Sequence, residues 1–83
     1  MEILPLRNDL VKRLKRAGLK ERFAKQKKLF EENQRHPSLH TEKLRPHQLG
    51  LYSFRITRQW RVIFIVIGKD EVEVIDVNPH YNQ

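Results

Sequence analysis

The 83-residue chain has no cysteine, one methionine and three glycines, and no apolar run longer than the six residues from Val62 to Ile67. Without cysteine, neither a disulfide scaffold nor a thiolate zinc site can form, and nothing calls for an oxidising compartment. A membrane span needs roughly 20 apolar residues, and a secretory leader needs a longer apolar centre than this chain offers. The expectation is therefore a cytoplasmic protein with no membrane partner. A chain this short makes one domain, 1–83, burying roughly 60% of the surface its unfolded form exposes. That leaves no room for a second module or a deep cofactor subdomain, and no cofactor is expected.

Acidic residues are also in short supply: 10 Asp+Glu stand against 17 Lys+Arg, a formal charge of +7. The excess is uneven. Residues 1–35 hold eleven basic and five acidic side chains, residues 36–61 five and one, and residues 62–83 one and four. A basic front and an acidic end give a directional field suited to a polyanion, either nucleic acid or an acidic protein segment. By composition alone, a merely solvated basic surface is an equal alternative.

Leu10, Val11 and Leu14, then Leu19, Phe23, Leu29 and Phe30, fall at helical spacing. They predict one helix near 7–16, capped by Asn8 or Asp9 and stopped by Gly18, and a second over 19–34 that ends before His36-Pro37. Ile3 and Leu4 suit a very short first strand. Residues 37–51 read as loop. Beyond them the period becomes two: 51–57, 60–67 and 72–78 read as strands, with turns at Arg58-Gln59 and Gly68-Lys69-Asp70. The strand 60–67 is apolar on both faces and belongs mid-sheet. The fold class is α+β: an N-terminal helical hairpin packed on a small antiparallel sheet of three to four strands.

The register of the first hairpin bears on chemistry. A two-residue loop would place Arg61 on the face of Phe54 and Ile56, burying a charge in the core. A three-residue connection, 57–59, pairs Ile56 with Trp60 and Arg55 with Arg61, with both arginines facing away from Tyr52, Phe54, Val62 and Phe64. The second register is expected. Two opposed guanidiniums repel unless an anion sits between or above them.

Cleaving RNA through its own 2′-hydroxyl requires a base, cations for the phosphorane and an acid for the leaving oxygen, and no metal. Glu42 is the only acid between Glu32 and Asp70, and it lies among His40, Lys43 and Arg45. Arg55 and Arg61 provide cations. His80 offers a group that titrates near neutrality, and Tyr81 a ring on which a base can stack. Each has a plainer reading. Glu42 can pair with Lys43 or Arg45, the arginines can bind acidic residues of the chain or a partner, and His80 and Tyr81 can be fraying terminal residues. His36, His40 and His47 lack the spacing and carboxylate company of a metal site, and none is expected.

The run YSFRITRQWRVIFIV, with its following turn and terminal His80-Tyr81, resembles the RelE/ParE superfamily of toxins from type II toxin–antitoxin systems, most closely the YoeB-like ribosome-dependent messenger-RNA interferases. The resemblance covers residues 37–81, and the preceding helical hairpin fits the family's order of elements. It implies an endoribonuclease that cleaves messenger RNA in the ribosomal A site and so inhibits translation. Glu42 then matches the general base, Arg61 the phosphate-stabilising arginine, Arg55 a supporting arginine, His80 the general acid and Tyr81 an orienting or stacking group. Lys20, Arg22, Lys25, Lys27 and Lys28, with Lys43 and Arg45, would contact RNA phosphates. The implied partners are a cognate acidic antitoxin, the ribosome and its message, and operator DNA reached through the toxin–antitoxin complex. Two alternatives remain open at this point: a ParE-like inhibitor of gyrase, and an inactive RNA-binding or co-repressor module.

Overall fold

Helix α1, Asn8–Arg16, stops where its sequence predicts. Gly18 takes φ +69°, its N–H donates to the Lys15 carbonyl at 3.1 Å, and the Leu19 N–H returns to the Leu14 carbonyl at 2.8 Å. These two bonds form a Schellman closure, which seats Leu14 and Leu19 in the core and starts helix α2, Lys20–Glu32. The beginning of α1 differs from expectation. Arg7 occupies the cap position, Asn8 is already helical, and no side chain caps the helix. The Asp9 carboxylate instead accepts from Arg7 Nε and Nη2 at 3.0 and 3.1 Å, while its charge still complements the helix dipole. Helix α2 ends two residues earlier than predicted, because Asn33 turns extended and its Oδ1 accepts from the Arg35 N–H, a local bond that competes with the helix.

The computed structural model describes residues 1–79. Five strands form one sheet: β1 (Glu2–Ile3), β2 (Glu42–Lys43), β3 (Tyr52–Arg55), β4 (Trp60–Ile67) and β5 (Glu71–Pro79), in the order β1-β5-β4-β3-β2. The α+β class is as expected, but the sheet is neither purely antiparallel nor limited to three or four strands. β1 runs parallel to β5, with the Glu2 N–H donating to the Asp70 carbonyl at 2.7 Å and the Leu4 N–H to the Val72 carbonyl at 3.0 Å. The Ile3 N–H donates to Glu31 Oε2 at 2.8 Å, so α2 helps to cover this sheet edge. The segment expected to be loop contributes β2 and two 3₁₀ turns, Pro37–Leu39 and His47–Leu49. Glu42 pairs with Ser53 and Lys43 with Tyr52, and the Leu44 N–H closes the pair on the Leu51 carbonyl at 2.8 Å. A two-residue strand carries no alternation for a sequence pattern to reveal.

β4 is central, as its two apolar faces require. The helices cover the side carrying Phe54, Val62, Phe64, Val72, Val74 and Val77, all buried with Leu10, Leu14, Phe23 and Phe30. Phe30 stacks on Phe54 at 5.1 Å and meets Phe64 edge-on at 5.2 Å, each contact adding about 0.5–1.5 kcal/mol to the area buried. The opposite face of the sheet carries Ser53, Arg55, Arg61, Asp76 and Asn78.

One polar side chain belongs to this core. Gln26 is 7% exposed, and its Nε2 donates to the Arg55 carbonyl at 2.8 Å and the Ser38 carbonyl at 3.3 Å. It ties α2 both to the turn preceding β2 and to the strand that carries Arg55. Gln26→Leu keeps the bulk but removes both donors, so urea unfolding should show a loss of about 1–3 kcal/mol with an unchanged m-value. No loss would mean that the amide is dispensable.

Candidate active site

Three adjacent strands place Glu42, Arg55 and Arg61 on one face of the sheet. Arg55 and Arg61 are direct cross-strand partners, and Phe54 pairs with Val62, the register expected from the chain. The connection is held locally: the Ile56 and Thr57 N–H groups both donate to the Trp60 carbonyl, and Thr57 Oγ1 accepts from the Gln59 and Trp60 N–H groups. Opposed residues in an antiparallel pair have Cα atoms about 4.5–5.5 Å apart, so two cations share one small area. Both arginines are half-buried, and among the described residues neither makes an ion pair. An exposed pair could dissipate its repulsion in water; this pair is partly desolvated and suits a bound anion.

Glu42 reaches the same face from the sheet edge. It sits opposite Ser53, two residues along the strand from Arg55. From standard strand rise and spacing, its Cα lies about 8 Å from that of Arg55 and about 12 Å from that of Arg61, within the combined reach of their side chains. Ser53 itself is small and buried, beside its buried cross-strand partner Ile63. On the helix-covered side of the sheet, away from Arg55 and Arg61, Glu42 also borders a cleft of ≈ 550 Å³ lined by Phe30, Tyr52 and Phe64 with Arg35, His36, His40 and Lys43. Lys43 Nζ stands 5.7 Å from the centre of the Tyr52 ring. Behind this edge, fully buried Leu39 anchors the 3₁₀ turn, and His40 takes a left-handed φ of +46° that redirects the chain into β2. His36 Nδ1 accepts from the Ser38 N–H at 3.2 Å, which engages it in the turn.

The structure thus brings Glu42, Arg55 and Arg61 together. His80 and Tyr81 lie outside the described residues, immediately after β5. Lys20, Arg22, Lys25 and Lys28 are exposed on α2 and Lys27 is half-buried; at about 100° per residue they spread over roughly 220° of the helix, a broad basic surface rather than a single stripe. Lys43 and Arg45 are exposed beside Glu42. Among the described residues, no three His, Cys, Asp or Glu side chains are grouped to hold a metal, and no helix is long and apolar enough to cross a membrane.

Sequence reasoning missed the residues that surround Arg61. Its Nε donates to Asn78 Oδ1 at 3.2 Å; Asn78 Nδ2 donates to Asp76 Oδ2 at 2.8 Å; and Arg13 Nη1 donates to Asp76 Oδ1 and the Val77 carbonyl, both at 2.7 Å. A β-bulge creates this arrangement. Phe64 pairs with Val74 but Ile63 with Asp76, so Ile75 is the extra residue. Beyond it the alternation is inverted: Val77 returns to the core, and Asp76 and Asn78 join the face of Arg61. The spacing Val72, Val74, Val77 was the available sign, a single step of three within a period of two.

Burial pushes the Asp76 carboxyl upward. Bonds from Asn78, the Val77 N–H and Arg13, with the charge of Arg13, outweigh this and hold it below the usual 3.8. Its folded pKa therefore lies below the unfolded one. The stabilisation is complete above the unfolded value and is lost as pH falls through the folded value. The stability advantage over Asp76→Asn should shrink as urea titrations are taken from about pH 6 to about pH 3, whereas a constant difference would show that the carboxylate is not stabilised by folding.

No protein-family model and no curated protein matches the sequence. Among solved structures, the YoeB/ParE toxin from Agrobacterium tumefaciens matches with a TM-score of 0.72 and 23% identity, over 98% of this chain and 100% of that one. The helical hairpin over a mixed sheet is the RelE/ParE-like fold.

Proposed function

We propose that the protein is the toxin of a type II toxin–antitoxin pair, acting as a ribosome-dependent, metal-independent endoribonuclease. The observation that carries this reading is the Arg55–Arg61 pair without an ion-pair partner among the described residues, facing the same way as Glu42. A phosphate lying over two opposed guanidiniums relieves their repulsion, and the charge that accumulates on a phosphorane strengthens the contact in the transition state.

Glu42 takes the proton from the ribose 2′-hydroxyl, and that oxygen attacks the adjacent phosphorus. Arg61, supported by Arg55, holds the phosphorane oxygens. The bond from phosphorus to the 5′-oxygen breaks, and His80 supplies the proton that the leaving oxygen takes up. The products are a 2′,3′-cyclic phosphate and a 5′-hydroxyl. Tyr81 orients or stacks the neighbouring base. Lys20, Arg22, Lys25, Lys27, Lys28, Lys43 and Arg45 contact ribosomal and messenger-RNA phosphates, which position the protein without reading sequence. An acidic antitoxin neutralises the same basic surface, and operator DNA is reached only through that complex. Expression should arrest growth through translation, with messages cut inside codons and the supercoiling activity of gyrase untouched. Inhibited supercoiling with intact messages would identify a gyrase-directed toxin instead. Growth that continues unimpaired would identify a binding module.

A further inference from the structure

Arg61 is the last link of a polar chain that begins on a helix. Arg13 of α1 grips Asp76 and the Val77 carbonyl with one nitrogen, Asp76 receives the Asn78 amide, and Asn78 receives Arg61 Nε. We infer that Asn78 is a positioning residue for Arg61, oriented by Asp76 and anchored through it to Arg13. The inference rests on the ribonuclease reading only for what the aimed guanidinium does.

The direction of the chain follows from the chemistry of its members. A carboxylate only accepts, so Asn78 must turn its NH₂ toward Asp76 and its oxygen toward Arg61. An amide at position 76 would remove that constraint and let Asn78 present its NH₂ to a guanidinium that has nothing to accept with. Holding Arg61 by Nε fixes the plane of the guanidinium and leaves its two terminal nitrogens for parallel bonds to phosphate oxygens. A lysine has no equivalent handle. Asp76 is itself overdetermined, since its Oδ1 also accepts from the Val77 N–H at 2.9 Å. β1 pairs only with Glu71 and Val72, so among the described residues no strand covers that side of β5 beyond Val72, and Arg13 is the group that engages Val77 there. An isolated surface pair between Arg13 and Asp76 would contribute little. Here it steadies an amide whose two ends are both engaged.

The test uses the full chain and two readouts. The Arg61 Nε–H resonance, identified by its loss in Arg61→Lys, should exchange with water about 10-fold faster in Asn78→Leu, the order expected when a bonded N–H is released to solvent. Single-turnover cleavage on programmed ribosomes should fall about 10–100-fold in Asn78→Leu at unchanged ribosome affinity, as for a misaimed catalytic group. In an Arg61→Ala background the same substitution should cost less than about 2-fold, because the residue through which it acts is gone. Unchanged Nε–H exchange, or losses that multiply across the two substitutions, overturns the inference. If the unaltered protein cleaves nothing, the ribonuclease reading fails, and the exchange measurement alone decides the positioning role. Should Asn78→Leu not fold, Asp76→Asn carries the same exchange test: faster exchange supports the chain and unchanged exchange refutes it.

Discussion

Arg61→Ala should lower the single-turnover rate of message cleavage by about 10²–10³-fold, the loss typical of removing one preorganised donor to a developing oxyanion. Affinity for the ribosome should barely change. The difference follows from where the charge appears. On the proposed reading, a ground-state phosphodiester with its one negative charge would meet many cations on this protein, whereas the phosphorane would concentrate added charge over the place where Arg55 and Arg61 face each other. Removing one of the pair relieves the like-charge repulsion on the free protein but gives up the bond to Asn78 Oδ1, so folding stability should change little while cleavage collapses. A variant that is both inactive and unfolded would instead point to a structural arginine. Arg61→Lys should recover only part of the rate, because an ammonium keeps the charge but loses the planar fork held by Asn78.

Glu42→Gln should reduce cleavage by about 10²–10⁴-fold, the usual contribution of general base catalysis. Glu42 is exposed on the two-residue edge strand β2, so the substitution exchanges a charged surface group for a neutral one of the same shape, and fold and stability should be preserved. A full-rate Glu42→Gln would leave the edge carboxylate as a surface partner of its basic neighbours and remove it from the chemistry.

The cross-strand pairing of Arg55 with Arg61 was legible from the chain because parity leaves few choices: shifting the register by one residue would have buried Arg61 beneath Phe54. Gly18 was legible because a left-handed residue ending a helix favours glycine. The strand β2 was not, since Glu42 and Lys43 owe their extended pairing to Ser53 and Tyr52 rather than to any pattern of their own. Nor was Gln26, whose place on the buried face of α2 is set by two carbonyls from distant segments. The surroundings of Arg61 were half-visible. Asp76 and Asn78 alternate correctly with each other, but simple alternation from Val72 and Val74 would have put both in the core. The bulge at Ile75 reverses that, and it is recorded in the chain only by where Val77 falls.

The most direct measurement is to add the purified protein to a defined message, free or threaded in ribosomes with a known codon in the A site, and to map the RNA ends. Cleavage should occur only with ribosomes, within the A-site codon, leaving a 2′,3′-cyclic phosphate and a 5′-hydroxyl, and should be lost in both Glu42→Gln and Arg61→Ala. An intact message on ribosomes to which the protein is demonstrably bound would contradict the assignment of Glu42 and Arg61 to catalysis.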